Sequence, residues 1–454
     1  MGGTDVNGGD VDDDELTLDD GTPVRREGKE LGRGGQGGVW AVAERPDLAV
    51  KIYDRPPSDQ QVRRLVAMLR ARPLAAEHLR PGQPPLLAWP TALVQAGGRP
   101  VGYAMPRLDT AGHVHLNGLL QKQVRLRRFE DTAHWKFLLG VAANLAYMTA
   151  RLHVERFVVG DLSSTNAVAD RTGFITLLDC DSFAFADPLT REKFDCEVLT
   201  DDYSGPERHD GRPPTRHSDD FALAVLVYQL LTAGNHPFDG SPKHGAADSV
   251  RKDNIVTGTT FLIHPDRVVT PVQLLPTDVL PPKVVRLARA AFGPGLHQLA
   301  RRPSSAAWLA ALDEARQDVV RCEAEPMHYY GGHLDSCPWC RRRGERGTDP
   351  FTGTARRNAG TASASTSASV PASASAPAPV RASPSVPRSP GTGAARPAAT
   401  SASAPPDGGA KAAVNKAAGA KPHGARPSGA ARLPWCWPTR TATSPSTGCP
   451  TSNP

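Results

Sequence analysis

The chain has 454 residues and a formal net charge of +6, and that charge divides into three unlike parts. Residues 1–23 hold eight acidic side chains and no Lys or Arg (net −8), residues 351–454 hold eleven Lys or Arg against Asp407 (net +10), and the body between them is close to balanced at +4. A basic excess confined to one tail argues against a folded nucleic-acid-binding face. The seven Cys are scattered, the start lacks a basic and apolar leader, and the longest apolar run, near Phe221 to Leu231, is short of the ~20 residues that span a bilayer, so the expectation is a cytoplasmic chain with no membrane span.

In chain order, the Gly- and Asp-rich residues 1–23 are expected to be disordered. From Val24 to about Gly102 the pattern is strands with one helix. "GKELGRGGQGGVWAVAE" carries a Gly-rich turn between segments able to extend, and "DLAVKIYD" is a short apolar strand interrupted by Lys51. "SDQQVRRLVAMLRARP" has a capping Ser58 or Asp59, apolar residues at Val62, Leu65, Val66 and Leu69, and a stop at Pro73, which predicts an amphipathic helix. "TALVQAGGRPVGYAMPRL" reads as a hairpin turning at Gly97 and Gly98 and leading to a strand that ends at Pro106.

Beyond Asp131 the character becomes helical. Leu138, Val141, Leu145, Met148 and Leu152 recur at three and four residues, which predicts a long buried helix. "RFVVGD" and "FITLLDCD" read as two short strands separated by the polar loop "LSSTNAVADRTG". "DDFALAVLVYQLLTAG" is apolar almost all round and reads as a helix in the middle of a core, and weaker helices fill 283–315. From Thr352 to Arg432 there is no Leu, Ile, Met, Phe, Tyr or Trp, so the basic Ala/Ser/Pro-rich tail, 350–454, is expected to be disordered.

Four features carry chemistry. Gly32, Gly34 and Gly37 form a G-x-G-x-x-G-x-V pattern ending at Val39. Such a turn lets backbone N–H groups approach phosphate oxygens, and the strand-like "VWAVAE" after it favours a flap over phosphates rather than a dinucleotide-binding turn. Lys51 follows as a cation in an apolar strand, either an edge-strand lysine reaching water or a phosphate anchor. Asp161 and Asn166 are separated by four residues in a loop, and Asp179 closes the next apolar strand. Phosphoryl transfer needs a carboxylate beside the incoming hydroxyl and oxygen ligands for Mg²⁺. Asp161 suits the first role and Asn166 with Asp179 the second, although Asp and Asn are also ordinary turn residues. Finally, Cys322, His328, Cys337 and Cys340 stand as C-x5-H-x8-C-x2-C, with His333 an alternative ligand. Four N/S donors suit a structural Zn²⁺, and a C-x2-C redox pair is the competing reading. Lys122, Arg125, Arg127 and Arg128 form a small basic cluster read as a solvated face.

Taken in order, these pieces resemble the protein kinase superfamily over about Val24 to Glu314: the Gly loop, Lys51, a hinge near Met105, the D-x-x-x-x-N loop from Asp161 to Asn166 and the metal-binding Asp179. "YSGPE" ending at Glu207, Asp219 opening the central helix, and "RRPS" at Arg301 to Ser304, with the late Arg that pairs with Glu207, complete the series. "VGDLSSTN", "LLDCDSF" and the "CPWC" module look similar to a group of atypical bacterial kinases. The resemblance implies an α+β, bilobal fold: a β-rich N-lobe at 24–106, a helical C-lobe at 107–315, and a zinc module at 320–342. It implies a Ser/Thr protein kinase using ATP and Mg²⁺ (or Mn²⁺), with Gly32, Gly34, Gly37, Val39, Lys51 and Met105 around the nucleotide. The chain departs from the usual pattern at Gly160, where an Arg is usual, at Ser163, where a Lys is usual, and at Cys180 and Asp181, which replace Phe and Gly. The predicted N-lobe helix holds no Glu to pair with Lys51, and Glu77, beyond Pro73, is the candidate. These departures keep a nucleotide-binding pseudokinase or scaffold, recruiting partners through its zinc module and tail, as the alternative. The expected partners are ATP and a protein substrate, with the Ser- and Thr-rich tail a candidate for autophosphorylation.

Overall fold

The structure is a computed structural model that describes residues 16–75, 83–243 and 251–353. Glu77 and the tail beyond 353 lie outside the described residues. Six strands build the first lobe: β1 (Leu16–Leu18), β2 (Arg26–Gly34), β3 (Gly37–Val42), β4 (Arg45–Tyr53), β5 (Ala92–Ala96) and β6 (Arg99–Pro106), in the sheet order β1-β5-β6-β4-β3-β2. Folding begins earlier than residue 24. Leu16 and Leu18 are buried, and β1 pairs antiparallel with β5, so the acidic start expected to be disordered through residue 23 is ordered from Leu16.

Alternation along β4 sets the lobe's two faces. Val50 and Ile52 join Leu16, Leu18, Val24, Val42, Val94 and Ala104 in a small core on one face. Ala49, Lys51 and Tyr53 therefore point to the other face. There α1 (Asp59–Arg70) packs Leu65, Ala67 and Met68, its first turn closed by a reciprocal capping box between Ser58 and Gln61. Trp89 fixes the seam between the lobes: its indole N–H donates to the Met68 carbonyl at 2.9 Å, and its ring meets Phe157, Phe183 and Phe185 edge-on.

The second lobe begins with a three-stranded sheet of β7 (Val114–His115), β8 (Ala167–Ala169) and β9 (Ile175–Leu177). The strand reading of "RFVVGD" is corrected: its ladder is a single bridge from Val158 to Ala184, and β8 forms inside the expected polar loop, where Ala167, Val168 and Ala169 are all buried. Helices α2 (Leu116–Leu120), α3 (Lys122–Phe129), α4 (Trp135–Val154), α5 (Pro206–His209) and α6 (Arg216–Leu231) follow, then α7 (Arg251–Thr257), α8 (Pro282–Phe292), α9 (Pro294–His297) and α10 (Ser305–Gln317). Among the described residues α4 is the one helix long and apolar enough to cross a membrane, a longer apolar stretch than the Phe221 to Leu231 run; it is mostly buried, packed between α6 and α10.

A terminal module is formed by the hairpin Val319–Arg321 with Tyr329–Gly331 and the helix Pro338–Arg346. The ordered chain continues past the expected boundary at 342. Phe351 is fully buried with its ring against Trp339 at 4.8 Å. The basic cluster is not a solvated face at its centre. Arg125 is fully buried, donating to the carbonyls of Leu119 and, at 2.8 Å, Pro350, while Lys122 donates to the Asp349 carbonyl at 2.5 Å. These cations clamp the segment after the module to α3.

Candidate active site

The hairpin of β2 and β3 turns tightly at Gly35 and Gln36, with Gly34 opposite Gly37. A Cβ on Gly37 would sit 2.1 Å from the Ile52 carbonyl, so only glycine lets β3 close onto β4 there. The hairpin hangs over Asp179: a Cβ on Gly34 would come within 4.0 Å of its Oδ2. Behind it lies an apolar slot of about 570 Å³, lined by Leu31, Gly32, Val39, Ala49, Met105 and Leu178 among others. It adjoins a polar cleft of about 310 Å³ that holds Lys51, Asp161, Asn166, Asp179 and Asp181, and Gly34, Asn166 and Asp179 line both. One side of the site is thus an apolar slot, and the other a charged chamber beneath a glycine flap.

Lys51 is not an edge-strand lysine. β4 lies between β3 and β6, and the residue is 4 % exposed. Its ammonium is 3.0 Å from both carboxylate oxygens of Asp181 and 3.4 Å from Asp179 Oδ1. Burial pulls this ammonium down, but the charges of Asp181 and Asp179 outweigh it and hold its pKa above the ordinary lysine value. Tyr53 adds an O–H bond to Asp181 at 3.2 Å. Burial pushes that phenol far above its ordinary range, and Asp181 adds to the shift, so it acts as a donor.

The loop that carries Asp161 and Asn166 is held from below. Asp219, at the start of α6 and fully buried, accepts the backbone N–H groups of Val159 and Gly160, each at 2.8 Å, and lies 2.9 Å from His153 Nε2. Asn166 Nδ2 donates to both the carbonyl and the Oδ2 of Asp161 at 2.9 Å. That fixes the Asp161 carboxylate, while the amide oxygen of Asn166 accepts the Thr165 hydroxyl at 3.4 Å. Asp179 has φ +48°, in the left-handed region that Asp tolerates better than most residues, and its side chain is 47 % exposed, open to the cleft. Ser163 is buried and bonds Thr165 Oγ1 at 2.9 Å, bringing no cation to the chamber.

Further along, Glu207 and Arg302 form a buried bidentate ion pair at 2.8 and 3.1 Å, the late Arg of "RRPS" being the second of its two. Burial alone would raise the Glu207 carboxyl, but Arg302 outweighs it and keeps its pKa low. Arg208 donates to the carbonyls of Cys196 and Val198, holding the segment between Asp181 and Glu207 against the lobe.

Three functional side chains escape a sequence reading. Asp181 reads there as a departure at the position of the usual Gly, yet it is the partner of Lys51. Arg64, on α1, donates to the carbonyls of Asp181, Phe183 and Asp195 at 2.7, 2.6 and 3.0 Å. His153 braces Asp219. The signal for the first two was compositional: the helix holds no Glu, while the "DCD" motif gains a carboxylate.

In the terminal module Cys322, His328, Cys337 and Cys340 converge, with all four ligand atoms within 4.8 Å of one another. A tetrahedral Zn²⁺ with bonds of about 2.0–2.3 Å sets its donors about 3.5–3.8 Å apart. The observed separations are 3.7 Å (Cys322 to Cys340), 3.5 Å (Cys337 to His328) and 3.4 Å (His328 to Cys340). The donor set fits the ion. His328 Nε2 lies 3.2 Å from the buried Asp349 carboxylate, which orients the ring so that Nδ1 faces the thiols. His333 is turned away, its Nε2 3.1 Å from the Asp278 carbonyl. A C-x2-C redox site would need a βαβ setting; here the motif follows a two-stranded hairpin and supplies two corners of a four-donor cluster.

A two-lobed architecture with a glycine flap over a lysine and an Asp/Asn/Asp set is a protein-kinase-like arrangement, and the chain's relatives support a bacterial protein kinase-like family. Over 323 residues it is 31 % identical to "Protein kinase YegI" of Escherichia coli O157:H7, an alignment covering 69 % of this chain and 48 % of that protein. Over 288 residues it is 24 % identical to "Serine/threonine-protein kinase PknD" of Chlamydia muridarum, covering 58 % of this chain and 28 % of that protein. The chain thus spans about half the length of YegI and less of PknD. Among solved structures it is similar to one described as "ROP18 kinase domain in complex with AMP-PNP and sucrose", at 17 % identity and a TM-score of 0.43, covering 66 % of this chain and 82 % of that one. No protein-family model matches the chain.

Proposed function

We propose that this chain is an ATP- and Mg²⁺-dependent protein kinase that phosphorylates Ser or Thr hydroxyls. The observation that supports the reading is the convergence of Lys51, Asp161, Asn166 and Asp179 in one polar cleft that adjoins an apolar slot beneath a glycine flap. In this reading the adenine ring occupies the slot between Val39, Ala49 and Leu178, near Met105. The flap's N–H groups and Lys51 hold the phosphates. Asp161 orients the acceptor hydroxyl and takes its proton as the oxygen bonds to the γ-phosphorus and the β–γ bridging bond breaks, leaving ADP. Asn166 and Asp179 would hold Mg²⁺ or Mn²⁺, which when bound neutralises charge on the phosphate oxygens. The test is Asp161→Asn. It is expected to lower phosphate transfer from labelled ATP by about 10²–10⁴-fold with nucleotide affinity nearly intact; unchanged turnover would remove Asp161 from the base's role.

A second reading rests on Ser163 and Gly160, which bring no cation where kinases usually have one: a nucleotide-binding regulator that recruits partners. It predicts thermal stabilisation by ATP with no phosphate incorporated into the chain, its Ser/Thr-rich tail or a generic acceptor. In either reading Cys322, His328, Cys337 and Cys340 bind one structural Zn²⁺, and a reducing, cytoplasmic setting keeps its thiolates available.

A further inference from the structure

Lys51 can hold phosphates only if an anion holds Lys51. Among the described residues, the carboxylates within ion-pair distance of its ammonium are Asp181, at 3.0 Å through both oxygens, and Asp179, at 3.4 Å. Asp179 is the more exposed of the two, 47 % against 7 % for the Asp181 side chain, and stands open to a cation in the cleft. The one acid of helix α1, Asp59 in its first turn, is not within ion-pair distance of Lys51. Of the helix's residues that line the cleft, Gln60, Gln61 and Arg64, the charged one is Arg64, a second cation, and this guanidinium grips the backbone of residue 181 itself, N–H to carbonyl at 2.7 Å. The charges of the helix and of the "DCD" turn are therefore exchanged together: a base on the helix, an acid on the turn, and both cations meeting on one residue. Tyr53, also on β4, closes the ring with its O–H to Asp181 Oδ2.

Resting on the kinase reading above, we propose that Asp181 is the positioning residue for Lys51, held in place by Arg64, so that the lysine is set by the metal-binding turn and not by a carboxylate from the N-lobe helix. Two consequences separate this from a metal-ligand role for Asp181. Its effect on nucleotide must pass through Lys51, and a carboxylate at this position must matter more than its proximity to Asp179.

The experiment is a double-mutant cycle on the full chain: wild type, Lys51→Ala, Asp181→Asn and the double variant, each titrated with the fluorescent nucleotide mant-ATP in Mg²⁺ and assayed for transfer to casein. Each single change is expected to weaken mant-ATP binding and to lower kcat/KM for ATP by about tenfold, with KM for casein unchanged, and the double variant is expected to be no worse than Lys51→Ala. Asp181→Asn indistinguishable from wild type would overturn the proposal. So would an equal loss from Asp181→Asn with and without Lys51, since that would make the carboxylate act on its own. Melting of each nucleotide-free variant reports folding. If Asp181→Asn does not fold, the cycle is run with Asp181→Glu, where a smaller loss that vanishes in the Lys51→Ala background supports the pairing and no loss, or an additive one, contradicts it. The binding cycle does not depend on turnover, so a wild-type chain that binds mant-ATP and transfers nothing counts against the kinase reading alone.

Discussion

Gly160 occupies the position where kinases usually carry the Arg that senses a phosphorylated loop, and the reason is steric. Its φ is +78°, and a Cβ there would meet the Cys196 side chain at 2.5 Å. The segment after the Asp179–Asp181 turn packs directly on the loop that carries Asp161 at this point. Gly160→Ala is therefore expected to cost about 1–3 kcal/mol of stability and to loosen this packing, measured by urea melts and by earlier proteolysis near Cys196; a neutral result would mean the loop shifts freely. His153 supplies a pH dependence. Burial pulls its imidazole down, but the bond to Asp219 and the charges of Asp219 and Asp220 outweigh it, so its pKa stands above the ordinary 6.5. Asp220, 3.9 Å from Nδ1, is pushed up to about 6 by burial. A base with a raised folded pKa stabilises fully below its unfolded value and loses that contribution as pH rises through the folded one. The melting difference between wild type and His153→Gln should thus be largest near pH 6 to 6.5 and shrink toward pH 9; a difference that grows with pH would reverse the assignment.

Whole elements carried their own sequence signals to different degrees. Helix α1 was legible because Ser58, the 3.6-residue spacing of Leu65 and Leu69, and Pro73 are all local. α4 and α6 were legible because a buried helix needs apolar residues on most sides. "RFVVGD" misled because apolar β-branched residues suit any buried extended segment, and pairing depends on a partner the sequence does not name. In the same way, Lys51, Asp161, Asn166 and Asp179 could be found by spacing and order. The contact of Lys51 with Asp181 spans 130 positions and of Arg64 with Asp181 117, and such contacts are set by how the two lobes meet. The terminal module makes the same point, since its four donors were legible from spacing while their brace, Asp349, was not. Removing its metal is expected to melt more than the module, because the Asp349 carbonyl and Pro350 tie it to Lys122 and Arg125. Metal analysis should give one Zn²⁺ per chain, and a strong chelator, or Cys337→Ser, should lower Tm of the whole second lobe by several degrees, about 2–4 °C per kcal/mol lost. A chain that carries no zinc, or whose Tm ignores the chelator, would contradict this.

Across the molecule, the net charge of +6 owes its sign to the tail and not to the site. The chamber between the lobes concentrates carboxylates, Asp161, Asp179 and Asp181, around one buried ammonium, which suits a metal–nucleotide complex whose cation offsets the acidic wall. The two lobes divide the work: the sheet brings the glycine flap and Lys51, and the helical lobe brings Asp161, Asn166 and Asp179, with the backbone just before Asp161 braced by Asp219. What this arrangement is for comes down to whether phosphate moves. The decisive measurement is incorporation of label from γ-labelled ATP by the purified chain with Mg²⁺ or Mn²⁺, beside Lys51→Ala and Asp179→Asn. The account predicts incorporation into Ser or Thr by the wild type and its loss in both variants; wild-type incorporation no greater than theirs, from a chain that still binds ATP, would contradict it.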